Sequence, residues 1–162
     1  MNKSPISKHV LKVIEDCISN YPSDRKQSAV LTALMEVQHE NGGYLTEVLM
    51  NEVAYLLEMP RVSVYEVASF YSMFQTEPCG RNNVAVCTNV SCMLRGSDGI
   101  LSHIEKTFDI KTGESTEDGR IYLKKEEECL AACCGAPVMQ VNHVYFENLD
   151  LNKVDEILGK LK

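Results

Sequence analysis

Two cysteine pairs carry the chemistry of this 162-residue chain: Cys87-x4-Cys92 and, after 36 intervening residues, Cys129-x3-Cys133. Thiolates at such spacings on two short loops can hold a metal centre where the loops converge. Three further cysteines stand at 17, 79 and 134, and six of the seven follow position 78. The opening MNKSPISKHVLKVIEDC lacks the uninterrupted apolar core of a secretory signal, and no later apolar run approaches the length that spans a bilayer. A cytoplasmic or equivalent reducing location is expected, where thiols stay unpaired unless they bind metal or do redox work.

Zinc and iron-sulfur are the two readings of the four thiols. Structural zinc favours tight Cys-x2-Cys knuckles, although its spacing extends to four intervening residues. A binuclear iron-sulfur core is wider than one ion, and plant-type ferredoxins also open with an x4 spacing. The spacing therefore favours a 2Fe-2S cluster on Cys87, Cys92, Cys129 and Cys133, with zinc as the alternative. Such a core with four thiolates is negatively charged and becomes more so on reduction, so hydrogen-bond donors must stand nearby; the backbone N–H groups around Gly96, Gly135 and Ala136 are the candidates. Glu126, Glu127 and Glu128 read as a solvated charge run. Cys134 diverges from its neighbour Cys133 and is left spare, and Cys79 reads as a linker thiol.

What is missing narrows the chemistry. No Cys-x-x-Cys is present for thiol–disulfide exchange, and a vicinal Cys133–Cys134 disulfide would be strained. The histidines at 9, 39, 103 and 143 form no Cys-x-His pair for a Rieske-type site, and neither a GxGxxG nor a Walker loop occurs. A one-electron site without a two-electron cofactor must exchange electrons with another protein, and no catalytic residue is assigned to this chain. The formal charge of −7 is spread evenly: residues 1–79 hold six Lys/Arg against ten Asp/Glu, and residues 80–162 hold ten against thirteen. With no basic half or stripe, nucleic acid and direct membrane insertion are poor partner choices.

The elements that must position the thiols fall into two halves. In residues 1–78, apolar periodicity predicts four helices. They run over 7–20, with Cys17 a small core residue; over 24–40, stopped by Asn41-Gly42-Gly43; from a Thr46 cap to Met59-Pro60; and from a Ser63/Glu66 capping box through VYEVASFYSMF. The aromatic stripe Tyr65, Phe70, Tyr71 and Phe74 reads as packing. In residues 79–162 a strand at Val84–Val86 runs into Cys87, and Ser97 or Asp98 caps a helix through Phe108. A second strand spans 120–124, a hairpin spans 137–146 with its turn at Asn142-His143, and Asp150 caps a last helix. The expected fold is α+β: an N-terminal four-helix bundle (1–78) followed by a thioredoxin-like α/β domain (79–162) that binds the 2Fe-2S cluster.

EVASFYSMF at 66–74, EPCGRNNVAVCTNVSCMLRG at 77–96 and ECLAACCGAPVMQVN at 128–142 together resemble the thioredoxin-like 2Fe-2S subunit of NADH:quinone oxidoreductase, respiratory complex I, known in bacteria as its E subunit. The likeness runs over nearly the whole chain. It implies a 2Fe-2S cluster ligated by Cys87, Cys92, Cys129 and Cys133, the same four that the spacing selects. It implies a flavoprotein partner holding FMN, the NADH site and a 4Fe-4S cluster, a larger iron-sulfur subunit in the same complex, and a peripheral place on the cytoplasmic side of the inner membrane. The cluster of such a protein is expected to exchange single electrons with the FMN. Cys79 stands where the family commonly has Val, and Cys134 occupies a variable position, so neither inherits a ligand role. The same module serves NAD-linked hydrogenases and formate dehydrogenases, which remain the alternative parent complexes.

Overall fold

Apolar periodicity alone would place helices in the first half and a sheet in the second, and the computed structural model, which describes residues 5–125 and 129–162, has that division. The chain forms two compact units, residues 1–78 and 79–162.

In the first unit α1 spans Lys8–Ile18, α2 Val30–Glu40, α3 Glu47–Leu56 and α4 Arg61–Phe70. Ser7 and Thr46 cap α1 and α3, their hydroxyls accepting from Val10 N and Leu49 N, both at 3.3 Å. A 3-10 turn at Lys26–Ala29 precedes α2, so the α-helix starts later than the periodicity predicts. Gly42 (φ 76°) and Gly43 (φ 101°) take the left-handed backbone that ends α2. One continuous core forms from Ile14, Leu34, Val53, Leu57 and Val64, with Cys17 packed at its edge. Burying each of the larger of these side chains is worth roughly 1.5–3 kcal/mol. Buried Gln38 is satisfied from both ends: its Nε2 donates to Met73 O (3.0 Å) and its Oε1 accepts from Gln75 N (2.7 Å), which clamps the segment after α4 onto α2.

Two expectations for α4 are corrected. The helix opens at Arg61 behind Pro60, with no side-chain cap, and Ser63 is already its third residue. Proline's fixed φ (−58° here) and missing donor start the helix without a capping box. The helix also stops at Phe70, because Tyr71 is extended (ψ 120°), so helical spacing no longer describes the aromatic stripe. Phe74 turns inward, whereas Phe70 is 80% exposed and stacks edge-on against Tyr71 at 5.1 Å.

In the second unit β1 (Asn82–Val86) lies inside a four-stranded sheet of order β2-β1-β3-β4. β2 (Ile121–Leu123) pairs parallel to β1. β3 (Met139–Val141) is antiparallel to β1, and β4 (Val144–Phe146) is antiparallel to β3. The β3–β4 turn is Asn142-His143, at φ 48° and 69°, as a two-residue hairpin demands. Between the parallel strands lie α5 (Val90–Leu94), which periodicity does not reveal in so short a piece, and α6 (Ser97–Phe108); α7 (Leu151–Gly159) ends the fold. The capping of α6 is a further correction: left-handed Gly96 precedes it, and Ser97 is its first residue, fully buried, with no hydrogen-bond partner for Oγ among the described residues. Val84, Ile104, Ile121, Leu123, Met139, Val154 and Leu158 form the core between sheet and helices. Asp150 caps α7, accepting from Lys153 N at 2.8 Å. Asp150→Ala is expected to lower the unfolding free energy by about 1 kcal/mol, read as a reduced urea midpoint at unchanged slope.

Candidate metal centre

Cys87 follows β1 directly, and its N–H still continues the ladder by donating to Val138 O at 3.0 Å. The thiol is thereby fixed where the rigid centre of the sheet ends. Two residues on, Asn89 caps α5, accepting from Val90 N at 2.9 Å, and this short helix carries Cys92 into the same apolar cluster as Cys87. From the later loop come Cys129 and, at the start of a 3-10 turn Cys133–Gly135, Cys133. Cys87 and Cys92 are buried with Leu130, Ala136 and Val138 in a small apolar cluster of their own, against which Ala132 packs.

The two pairs meet. Burial by itself would push the Cys87 thiol up. Backbone hydrogen bonds from Leu130 and Asn89, with those to the Cys92 and Cys129 thiols, outweigh it and leave Cys87 below the ordinary cysteine range. Cys92 goes the other way: burial raises it, its hydrogen bond to Cys87 adds to this, and the charges of Cys87 and Cys133 add further. Such opposed shifts are the mark of thiols sharing one space, the first to ionise opposing the next. A bound cation removes that opposition, which is why metal binding releases thiol protons. Cys129 and Cys133 are exposed, so the group has a buried half and a solvent-facing half.

Backbone donors surround the sulfurs, but not those the sequence indicates. The N–H groups of Gly96, Gly135 and Ala136 donate to the carbonyls of Met93, Ala132 and Cys133, closing local turns. In their place Leu130 and Asn89 serve Cys87, Val138 serves Cys92, and Ala131 N donates to Cys129 Sγ at 3.3 Å. Ala131 does so at φ 56°, a left-handed conformation that costs a non-glycine residue roughly 1–2 kcal/mol and that locates strain within the Cys129–Cys133 loop. No motif announces this residue; a positive φ is invisible when the residue is alanine. Arg95 ties the end of α5 to the segment after the Cys133 turn, its Nη1 donating to Ala136 O at 3.4 Å. Glu126, Glu127 and Glu128 lie outside the described residues.

Cys134 is exposed next to Cys133, Cys79 is half-buried with its thiol pushed up by burial, and Cys17 belongs to the other unit. Among the described residues no three His, Cys, Asp or Glu side chains are drawn together tightly enough for a single ion. Cysteines at 87, 92, 129 and 133, amide donors to the first three and an apolar floor fit the chemistry of an iron-sulfur cluster.

Residues 14–162 match the family described as Thioredoxin-like [2Fe-2S] ferredoxin. The chain belongs to this family. Its relatives in the thioredoxin-like 2Fe-2S ferredoxin family include the E subunit of NADH-quinone oxidoreductase from Rickettsia bellii, 44% identical over 152 residues that cover 94% of this chain and 90% of the relative. They also include the E 2 subunit of NADH-quinone oxidoreductase from Rhizobium meliloti, 48% identical over 149 residues, covering 92% of this chain and 86% of the relative. Among solved structures, an NAD+-reducing [NiFe]-hydrogenase in the air-oxidized state superposes with a TM-score of 0.67 over 78% of this chain at 24% identity. That likeness is one of fold, and the chain spans 22% of the hydrogenase chain's length.

Proposed function

We propose that this protein is the electron-transfer E subunit of an NADH-quinone oxidoreductase, with Cys87, Cys92, Cys129 and Cys133 as the ligands of one 2Fe-2S cluster. The observation that carries the reading is the burial of Cys87 and Cys92 in one small apolar cluster with Leu130, Ala136 and Val138, residues of the segment that carries Cys129 and Cys133. When bound, such a cluster supplies a one-electron couple. The chain's own contribution is positional. Cys87 and Cys92 hold from the buried side, on a strand end and on a short capped helix. Cys129 and Cys133 hold from the open side, where a partner can approach. Leu130, Val138, Asn89 and Ala131 offset thiolate charge with backbone donors, and Leu130, Ala136 and Val138 keep water from one face.

Residues 1–78 are the N-terminal four-helix bundle and 79–162 the cluster-binding domain of this reading. The electron partner is a flavoprotein subunit with FMN, the NADH site and a 4Fe-4S cluster, accompanied by a larger iron-sulfur subunit. Among the described residues no helix is long and apolar enough to cross a membrane. In this reading the chain is held at the cytoplasmic face of the membrane through those partners. The fold likeness to the hydrogenase supports a second reading, the equivalent subunit of an NAD-linked hydrogenase. Relatives named as NADH-quinone oxidoreductase subunits, matched along nine-tenths of their length, favour the first.

Anaerobic purification from the native host tests both. The expected result is a brown protein with equimolar iron and acid-labile sulfide, a spin-half signal on reduction, and a co-purifying flavoprotein that oxidises NADH while the isolated chain does not. A colourless chain with one tightly held zinc would overturn the cluster, and a hydrogenase catalytic subunit in the complex would overturn the parent assembly.

A further inference from the structure

Gly135 closes the turn that begins at Cys133, and its φ is not in the left-handed region, so backbone conformation does not require glycine there. Space does. A Cβ at this position would overlap the side chain of Glu147, meeting its Oε2, its Cδ at 2.5 Å and its Cβ at 2.6 Å. Glu147 belongs to the strap between β4 and α7, and the strap is fastened on both sides. Asn148 N donates to Gly135 O at 2.6 Å and Leu149 N to Pro137 O at 3.2 Å, Leu149 is buried in the core, and Lys153 Nζ of α7 donates to Glu147 O at 2.5 Å. A carboxylate is thus seated on the backbone of the turn, two residues from a proposed ligand.

We propose that Glu147 is a positioning residue for the metal centre: its side chain takes the place of the Cβ that Gly135 lacks, holding the Cys133–Gly135 turn and setting a negative charge beside it. The inference rests on the cluster reading above. A negative charge near a cluster disfavours the added electron, so Glu147 lowers the reduction potential, and because Glu147 is exposed the effect is modest and screened by salt.

The test uses the full chain purified anaerobically with its iron, followed by redox titration of the reduced-state spin signal. Glu147→Gln keeps the shape and removes the charge. It is expected to retain wild-type iron and to raise the reduction equilibrium constant about threefold, roughly 28 mV at about 59 mV per decade for one electron, with the difference shrinking at 1 M salt, where the Debye length falls to about 3 Å. Gly135→Ala is expected to lose iron, and Gly135→Ala with Glu147→Gly to regain it, because the second change clears the space. An unmoved potential in Glu147→Gln, or full iron in Gly135→Ala whatever stands at 147, overturns the proposal while leaving the cluster reading intact. Absence of iron and sulfide from the wild-type chain overturns both.

Discussion

Replacing Cys129 by Ala is expected to abolish iron binding, with the brown absorbance and the spin-half signal gone and the fold retained. The residue is exposed, so its removal opens no cavity in a core, and the loss reads on the metal alone. Cys87→Ala would mix the two effects, since that thiol is 2% exposed and packed with Leu130 and Val138. Three controls fix the interpretation. Cys134→Ala, Cys79→Ala and Cys17→Ala should each keep full iron, because Cys134 is an exposed neighbour of the proposed ligand Cys133, Cys79 lies before β1 and Cys17 lies in the helical unit. Iron analysis and visible absorbance on the four variants decide the matter. Full occupancy in Cys129→Ala, or loss in Cys134→Ala, would overturn the ligand assignment.

The second large effect is expected at Gly80, on the approach to β1. An added Cβ there would stand 2.6 Å from the backbone carbon of Ile121, 2.8 Å from its oxygen and 2.8 Å from Tyr122 N. These are main-chain atoms of β2, which cannot swing away as the end of a long side chain can. The clash falls where Arg81 N donates to Gly119 O and Asn82 N to Arg120 O, the bonds that tie β1 to its parallel neighbour. Gly80→Ala is expected to destabilise the protein by about 3 kcal/mol, at the upper end of overpacking effects, and to lower Tm by roughly 6–12 °C at about 2–4 °C per kcal/mol for a chain of this length. Gly159→Ala, with open space around its Cβ, should stay within about 0.5 kcal/mol of wild type. Thermal unfolding followed by circular dichroism compares the pair; equal melting of Gly80→Ala and wild type would refute the packing argument.

The helices and strands were legible wherever one face is buried over several turns or alternations. α1, α3, α6 and α7 repeat apolar residues at helical spacing, and the Thr46 and Asp150 caps carry side-chain acceptors that sequence names directly. The ends that misled were set by backbone. Pro60 starts α4 without a side-chain cap, Tyr71 leaves the helix by its own dihedrals, and Gly96 turns the chain into α6. The short α5 has too few residues to show a period.

The identity and spacing of the four cysteines were fixed by covalent order, and with them the class of metal chemistry: thiolates at x4 and x3 spacing, without histidine, limit the site to zinc or iron-sulfur. That the loop carrying Cys129 and Cys133 lies beside Cys87 was decided only by the sheet. Pairing of β1 with β3 puts Cys87 beside Val138 and hence beside the loop that carries Cys129 and Cys133. The amide donors, the left-handed Ala131 and the seat of Glu147 on Gly135 likewise belong to the tertiary structure. Side-chain chemistry is written residue by residue, whereas a backbone N–H is common to nearly every residue and acquires a role only when the fold aims it.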